Sequence, residues 1–251
     1  MSTWWEAGAW GLLGGAALVV GAAIAWFVSV PQRVSASIMA FGAGVLISAL
    51  AYDLTLEAQE TGGTVATVVG VLGGAAAYAG ANALVSRFGG RHRKRSGGQQ
   101  PTEADSQGSG AAIAIGSLLD GIPESVVLGV SLVTGGGVST TLIAAIFISN
   151  VPEGLSSVVG MKRAGRSAGY VFGVWGAIAV ACAASAAAGF LLAGVAPPLA
   201  VAVVTAVAAG AILAMVADTM IPEAFERAHL MTGLITAVGF LVAFALSQAG
   251  A

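Results

Sequence analysis

Long apolar runs separated by short polar breaks dominate the chain. A helix that crosses a bilayer needs about 20 mainly apolar residues. Eight runs of that kind lie near 8–29, 34–57, 63–86, 110–132, 138–160, 168–194, 198–223 and 230–249. The breaks between them are Pro31-Gln32-Arg33, Glu60-Thr61-Gly62-Gly63, the hydrophilic stretch 87–109, Gly135-Gly136-Gly137, Lys162-Arg163, Pro197-Pro198 and Glu226-Arg227. The pattern predicts an all-α polytopic membrane protein. Residues 1–251 form a single transmembrane domain of eight transmembrane helices, three before a linker at 87–109 and five after it. That linker is basic at first and then rich in Gly, Gln and Ser, a composition with too little apolar surface to fold by itself.

Charge fixes an expected orientation. All 10 Lys and Arg fall in alternate breaks: Arg33 in the first, Arg87, Arg91, Arg93, Lys94 and Arg95 in the third, Lys162, Arg163 and Arg166 in the fifth, and Arg227 in the seventh. A wrong count of spans would scatter them over both sides. The positive-inside rule then puts these breaks in the cytoplasm and both termini on the extracytoplasmic side, in a multi-pass protein of the cell membrane. Trp4 and Trp5 are placed to anchor the first span at the interface. No basic n-region precedes that span, so no cleaved signal peptide is expected.

Composition agrees. Of the 251 residues 57% are hydrophobic and 9% charged, against about 25% charged in soluble domains. This excludes a disordered chain, a disulfide-stapled secreted domain and an ordinary cytosolic enzyme. The lipid bilayer is therefore the principal partner, and a net charge of −2 gives no reason to expect nucleic acid. The 37 glycines allow helix backbones to approach closely, and they would permit a homodimer without requiring one. The single cysteine, Cys182, is expected to pack as a small hydrophobe.

Against this background seven carboxylates stand out within or at the ends of the spans: Asp53, Glu57, Asp120, Glu124, Glu153, Asp218 and Glu223. An acid at a helix centre costs roughly 2.5–3.5 kcal/mol on insertion, and no span contains a Lys or Arg to neutralise one. Protonation, a water-filled cavity or a bound cation would each relieve the cost. Three of the seven prolines directly precede a glutamate: Pro123-Glu124, Pro152-Glu153 and Pro222-Glu223. A proline within a helix leaves the carbonyl four residues back without its donor; an α-helical count makes these the carbonyls of Leu119, Ile148 and Asp218. Carboxylates beside freed carbonyls are the oxygen donors that hard divalent cations take, and broken helices line ion sites in many transporters.

Spans four and five also repeat a motif, Asp120-Gly-Ile-Pro-Glu124-Ser against Ser149-Asn-Val-Pro-Glu153-Gly. Ser117, Asp120 and Glu124 share one helix face, as do Ser149, Glu153 and Ser156. Two such stripes on adjacent helices could meet around one or two cations. A looser echo joins Asp53-Leu-Thr-Leu-Glu57-Ala to Asp218-Thr-Met-Ile-Pro-Glu223-Ala.

On these motifs the chain resembles the ZIP (zinc- and iron-regulated transporter-like) family of metal transporters. The resemblance implies eight spans, external termini, a variable cytoplasmic loop after span three and a metal site between spans four and five. It implies Asp120, Glu124, Ser149, Asn150 and Glu153 as metal ligands, with Asp53, Glu57, Ser117, Asp218 and Glu223 along the pathway. On this topology Asp53 and Glu57 would lie near the outer mouth and Asp218 and Glu223 near the cytoplasmic one. The span-four motif of the family usually reads His-Asn-x-Pro-Glu-Gly, so Asp120 stands in place of the histidine and Gly121 in place of the asparagine. Ser149 stands where His or Gln is common. Imidazole suits zinc; carboxylate and hydroxyl make a harder site that leans towards manganese or ferrous iron.

The expected function is uptake of a divalent metal such as Zn, Fe or Mn as transported substrate, with no cofactor. A proton-linked or other-solute transporter, or a relative that no longer carries zinc, is the alternative. No phosphate loop or His-Glu-x-x-His motif is present, and no enzyme activity is expected.

Overall fold

The computed structural model describes residues 2–88, 109–134 and 140–250, and every regular element within them is helical. The expected linker lies almost wholly outside the described residues, as do Gly135-Gly136-Gly137 and the basic run Arg91–Arg95. The helices are α1 (Trp4–Phe27), α2 (Gln32–Ala49), α3 (Thr55–Arg87), α4 (Ser109–Thr134), α5 (Thr140–Arg163), α6 (Ala168–Val195), α7 (Pro198–Met215), α8 (Ile221–Ala228) and α9 (Met231–Gly250).

Local chemistry sets their ends. The Glu6 carboxylate accepts from the Thr3 N–H (2.8 Å) at the start of α1. The Ser167 hydroxyl accepts from the Tyr170 N–H (3.2 Å) at the start of α6. Pro198 opens α7 where its missing N–H costs nothing.

Seven helical runs among the described residues are long and apolar enough to cross a membrane: Trp4–Phe27, Gln32–Arg87, Ala111–Thr134, Leu142–Arg163, Ala168–Val195, Pro198–Ala228 and Met231–Gln248. The chain is thus built as a multi-pass membrane protein. The expected spans at 34–57 and 63–86 are joined in one run of 56 residues. The expected loop at Glu60-Thr61-Gly62-Gly63 is instead a kink at one residue, Gly63, with φ 75° and ψ 173°. A residue without Cβ takes that conformation at little cost, so one glycine redirects the helix without a loop. Helix runs straight through the other three residues.

Two five-residue π-helical turns interrupt the helices, at Leu50–Leu54 after α2 and Val216–Met220 after α7. Each follows an α-helix of 18 residues, and each contains an aspartate, Asp53 or Asp218. Each also uses a threonine hydroxyl to satisfy a carbonyl at its start: Thr55 Oγ1 donates to Leu50 O (2.8 Å) and Thr219 Oγ1 to Met215 O (2.7 Å). The looser sequence echo therefore coincides with a repeated backbone device. Ile221 N–H reaches back five residues to Val216 O. In that register Pro222 orphans the carbonyl of Ala217, one residue before the Asp218 that an α-helical count gives.

Packing follows a paired plan. The most extensive contacts are α3 with α7, α1 with α6, α1 with α5, α4 with α6, and α2 with α9; α2 also packs on α5 and α4 on α7. This set maps onto itself when α1, α2, α3 and α4 are exchanged for α6, α7, α9 and α5. Reciprocal glycines close four of the contacts. A Cβ on Gly21 would collide with Val151 O and one on Gly154 with Leu18 O, joining α1 to α5. Gly129 and Gly189 do the same for α4 and α6, Gly44 and Gly239 for α2 and α9, and Gly74 and Gly210 for α3 and α7. Between such helices van der Waals contact replaces water exclusion as the cohesive force.

The result places α4 and α5 at the centre, buried over most of their circumference, while α6 and α9 present mostly exposed faces. One apolar core joins α2, α7, α4 and α5; a second gathers α1, α5 and α6 around the fully buried Trp175.

Candidate functional site

The central helices carry the chain's deepest polar residues. Glu124 and Glu153 are each only 2% exposed and Asp120 1%. Ser117, Ser125, Ser149, Asn150, Ser156 and Ser157 are buried with them. Both prolines sit inside their helices, Pro123 in α4 and Pro152 in α5.

Direct backbone contact between α4 and α5 is slight. The Cys182 thiol of α6 lies 3.9 Å from the Gly121 carbonyl of α4, within the motif that carries Glu124. A small cavity of about 10 Å3 touches Glu124 and Val127 of α4, Leu142 and Ile146 of α5, and apolar side chains of α2 and α7. That is room for about one water. Gly42 of α2 brings its backbone against Ser149, with the Ile148 carbonyl alongside. This is the carbonyl Pro152 leaves without an α-helical donor.

The remaining expected ligands have defined partners. Asp120 accepts a short hydrogen bond from the Tyr78 hydroxyl of α3. Ser149 Oγ donates to Ile146 O (3.0 Å), which leaves its lone pairs as acceptors. Asn150 Nδ2 donates to Gly14 O of α1 (3.0 Å), so its amide ties α5 to α1. Ser117 Oγ is buried without a hydrogen-bond partner among the described residues.

The expected pathway residues divide unequally. Glu223 is 4% exposed and accepts from Ser156 Oγ of α5 (3.2 Å), which extends the α5 stripe to α8. Asp218, five residues earlier, is exposed. Asp53 and Glu57 are half-buried beside α9, where Ser247 Oγ donates to Asp53 Oδ1 (3.4 Å). Among the described residues no three His, Cys, Asp or Glu side chains converge in a metal cage. A cation here would draw on hydroxyl, amide and carbonyl oxygens beside one or two carboxylates, a donor set suited to hard ions.

Sequence reasoning missed Tyr78 and the place of Cys182. A phenol in an apolar span needs a buried acceptor, which was a usable signal for Tyr78. Nothing local to Cys182 foretold that α6 would bring it against the Gly121 carbonyl of α4. In comparisons with known proteins, the chain matches no family model and no curated protein.

Proposed function

We propose that this multi-pass membrane protein carries divalent metal cations towards the cytoplasm through the buried carboxylates of α4 and α5. One observation carries the reading: Glu124 and Glu153, each directly after a helix-breaking proline, are nearly solvent-free in the two central helices. Burial of two acids at such depth is costly unless a proton, water or cation compensates. The resemblance to the ZIP family in these motifs favours the cation.

In this reading the chain crosses eight times, with Gln32–Arg87 turning at Gly63, and both termini lie outside. Glu124 and Glu153 hold the metal; Asp120, Ser149 and the acceptor side of Asn150 complete its oxygen shell. Asp53, Glu57, Asp218 and Glu223 attract or relay it, with Ser117 and Ser156 between. The oxygen-rich set favours manganese or ferrous iron over zinc. A divalent ion moving inward gains roughly 4.6 kcal/mol per 100 mV, twice the value for one charge, so the membrane potential suffices as driving force.

A second reading rests on the wall of the cavity at Glu124, which is formed by Leu46, Leu50, Leu54 and other apolar residues. Such a wall suits a carboxyl that exchanges protons, and a proton-linked transporter would use it so.

Uptake into proteoliposomes across a panel of divalent ions tests both. Wild type is expected to accumulate manganese or iron, and Glu124→Ala and Glu153→Ala to lose at least about tenfold in rate, the equivalent of one lost interaction of about 1.4 kcal/mol. Unchanged uptake in both variants removes the site. Proton flux without metal flux favours the second reading.

A further inference from the structure

The end of α1, the residues just after it and the end of α5 line an open cavity of about 280 Å3 that the proposed pathway does not use. Its lining includes Val28, Ser29, Val30 and Val159 together with Lys162 and Arg163. Among the described residues no acidic side chain lines it. Lys162 is held in place. Lys162 Nζ donates to the Trp26 carbonyl (2.8 Å) and lies 5.5 Å from the centre of the Trp26 ring. An ammonium has three donors, so this bond does not exhaust it.

The surroundings are those of a membrane interface. Trp26 meets Phe172 of α6 edge-on at 6.2 Å, and Phe27 stacks on the same ring at 6.3 Å. The Arg166 guanidinium lies over the Tyr170 ring at 5.2 Å. Phe27 and Val28 are 77% and 56% exposed, which leaves an apolar rim beside a cationic floor. Aromatic rings concentrate where headgroups lie, and basic pockets between membrane helices bind anionic headgroups.

We propose that this cavity seats the phosphate headgroup of an anionic phospholipid, with Lys162, Arg163 and the Ser29 hydroxyl on the phosphate and the acyl chains leaving across Phe27 and Val28. The arrangement stands whether or not the protein transports metal and whichever leaflet the site faces. Headgroup binding would staple α1 to α5, the helix that carries Glu153.

Native mass spectrometry of the full-length protein, titrated in detergent with phosphatidylglycerol or phosphatidylcholine, tests it. Wild type is expected to retain one phosphatidylglycerol in preference to phosphatidylcholine. Lys162→Gln with Arg163→Gln should weaken retention about 30-fold, as loss of two interfacial cations implies. Ser29→Trp, which fills the cavity without changing charge, should weaken it comparably. Lys162→Arg with Arg163→Lys should restore it. Arg87→Gln with Arg227→Gln removes the same charge elsewhere and should leave retention within about twofold. Equal loss in that control, equal retention of phosphatidylcholine, or undiminished binding in both cavity variants overturns the proposal. Displacement of the lipid by millimolar inorganic phosphate alone would reassign the cavity to a free anion and overturn it as well.

Discussion

Tyr78 and Asp120 lie 42 residues apart in sequence and share a buried hydrogen bond from phenol to carboxylate. The bond ties α3 to α4 beside the motif Asp120-Gly-Ile-Pro-Glu124. A buried acceptor that loses such a donor costs about 1–3 kcal/mol. Tyr78→Phe keeps the ring and removes only the hydroxyl, so thermal unfolding in detergent should show a lower midpoint. An unchanged midpoint would mean the bond contributes nothing. Asn150 illustrates the opposite lesson. The family resemblance implies it as a metal ligand, yet its amide nitrogen donates to Gly14 O. The residue type was legible; the partner was not, because it lies on α1, 136 residues away in sequence.

The π-helical turn before α8 decides where Glu223 points. One extra residue per turn rotates everything downstream by about 100° relative to an unbroken α-helix. In this one helical run Glu223 is buried on Ser156 and Asp218 is exposed. Glu223→Ala removes the carboxylate from the α5 stripe and leaves the helical run intact. Helical content by circular dichroism should be kept, while metal uptake in proteoliposomes should fall at least about tenfold. Normal uptake in this variant would remove Glu223 from the pathway. Sequence spacing marked the difference between the Asp53/Glu57 and Asp218/Glu223 pairs as a mismatch of one residue. Both segments contain a π turn, which hydropathy does not register because such a turn leaves composition unchanged.

The contacts of the whole molecule repeat on exchange of α1–α4 for α6, α7, α9 and α5, with the proline-glutamate helices exchanged for one another at the centre. If the chain crosses eight times, as proposed, α1 and α6 differ in parity, and the exchange would invert one half relative to the other, as in many transporters. Cysteine labelling in a Cys182→Ser background tests the arrangement. Cysteines replacing Glu60 and Gln248 should react with an impermeant reagent from the outside, and one replacing Arg166 only from the inside. Labelling of Glu60→Cys and Arg166→Cys from the same side would contradict a reversal at Gly63.

Periodicity and composition were enough to establish a helical membrane protein, the ends of most helices to within a few residues, and the carboxylates most in need of compensation. These are local or additive properties: an apolar run, a proline and a buried acid each signal without reference to the rest of the chain. The kink at Gly63, the π turns, the reciprocal glycine contacts and the partners of Asp120, Asn150 and Glu223 required the packed molecule. Each depends on which backbone lies opposite, a fact distributed over residues far apart in sequence.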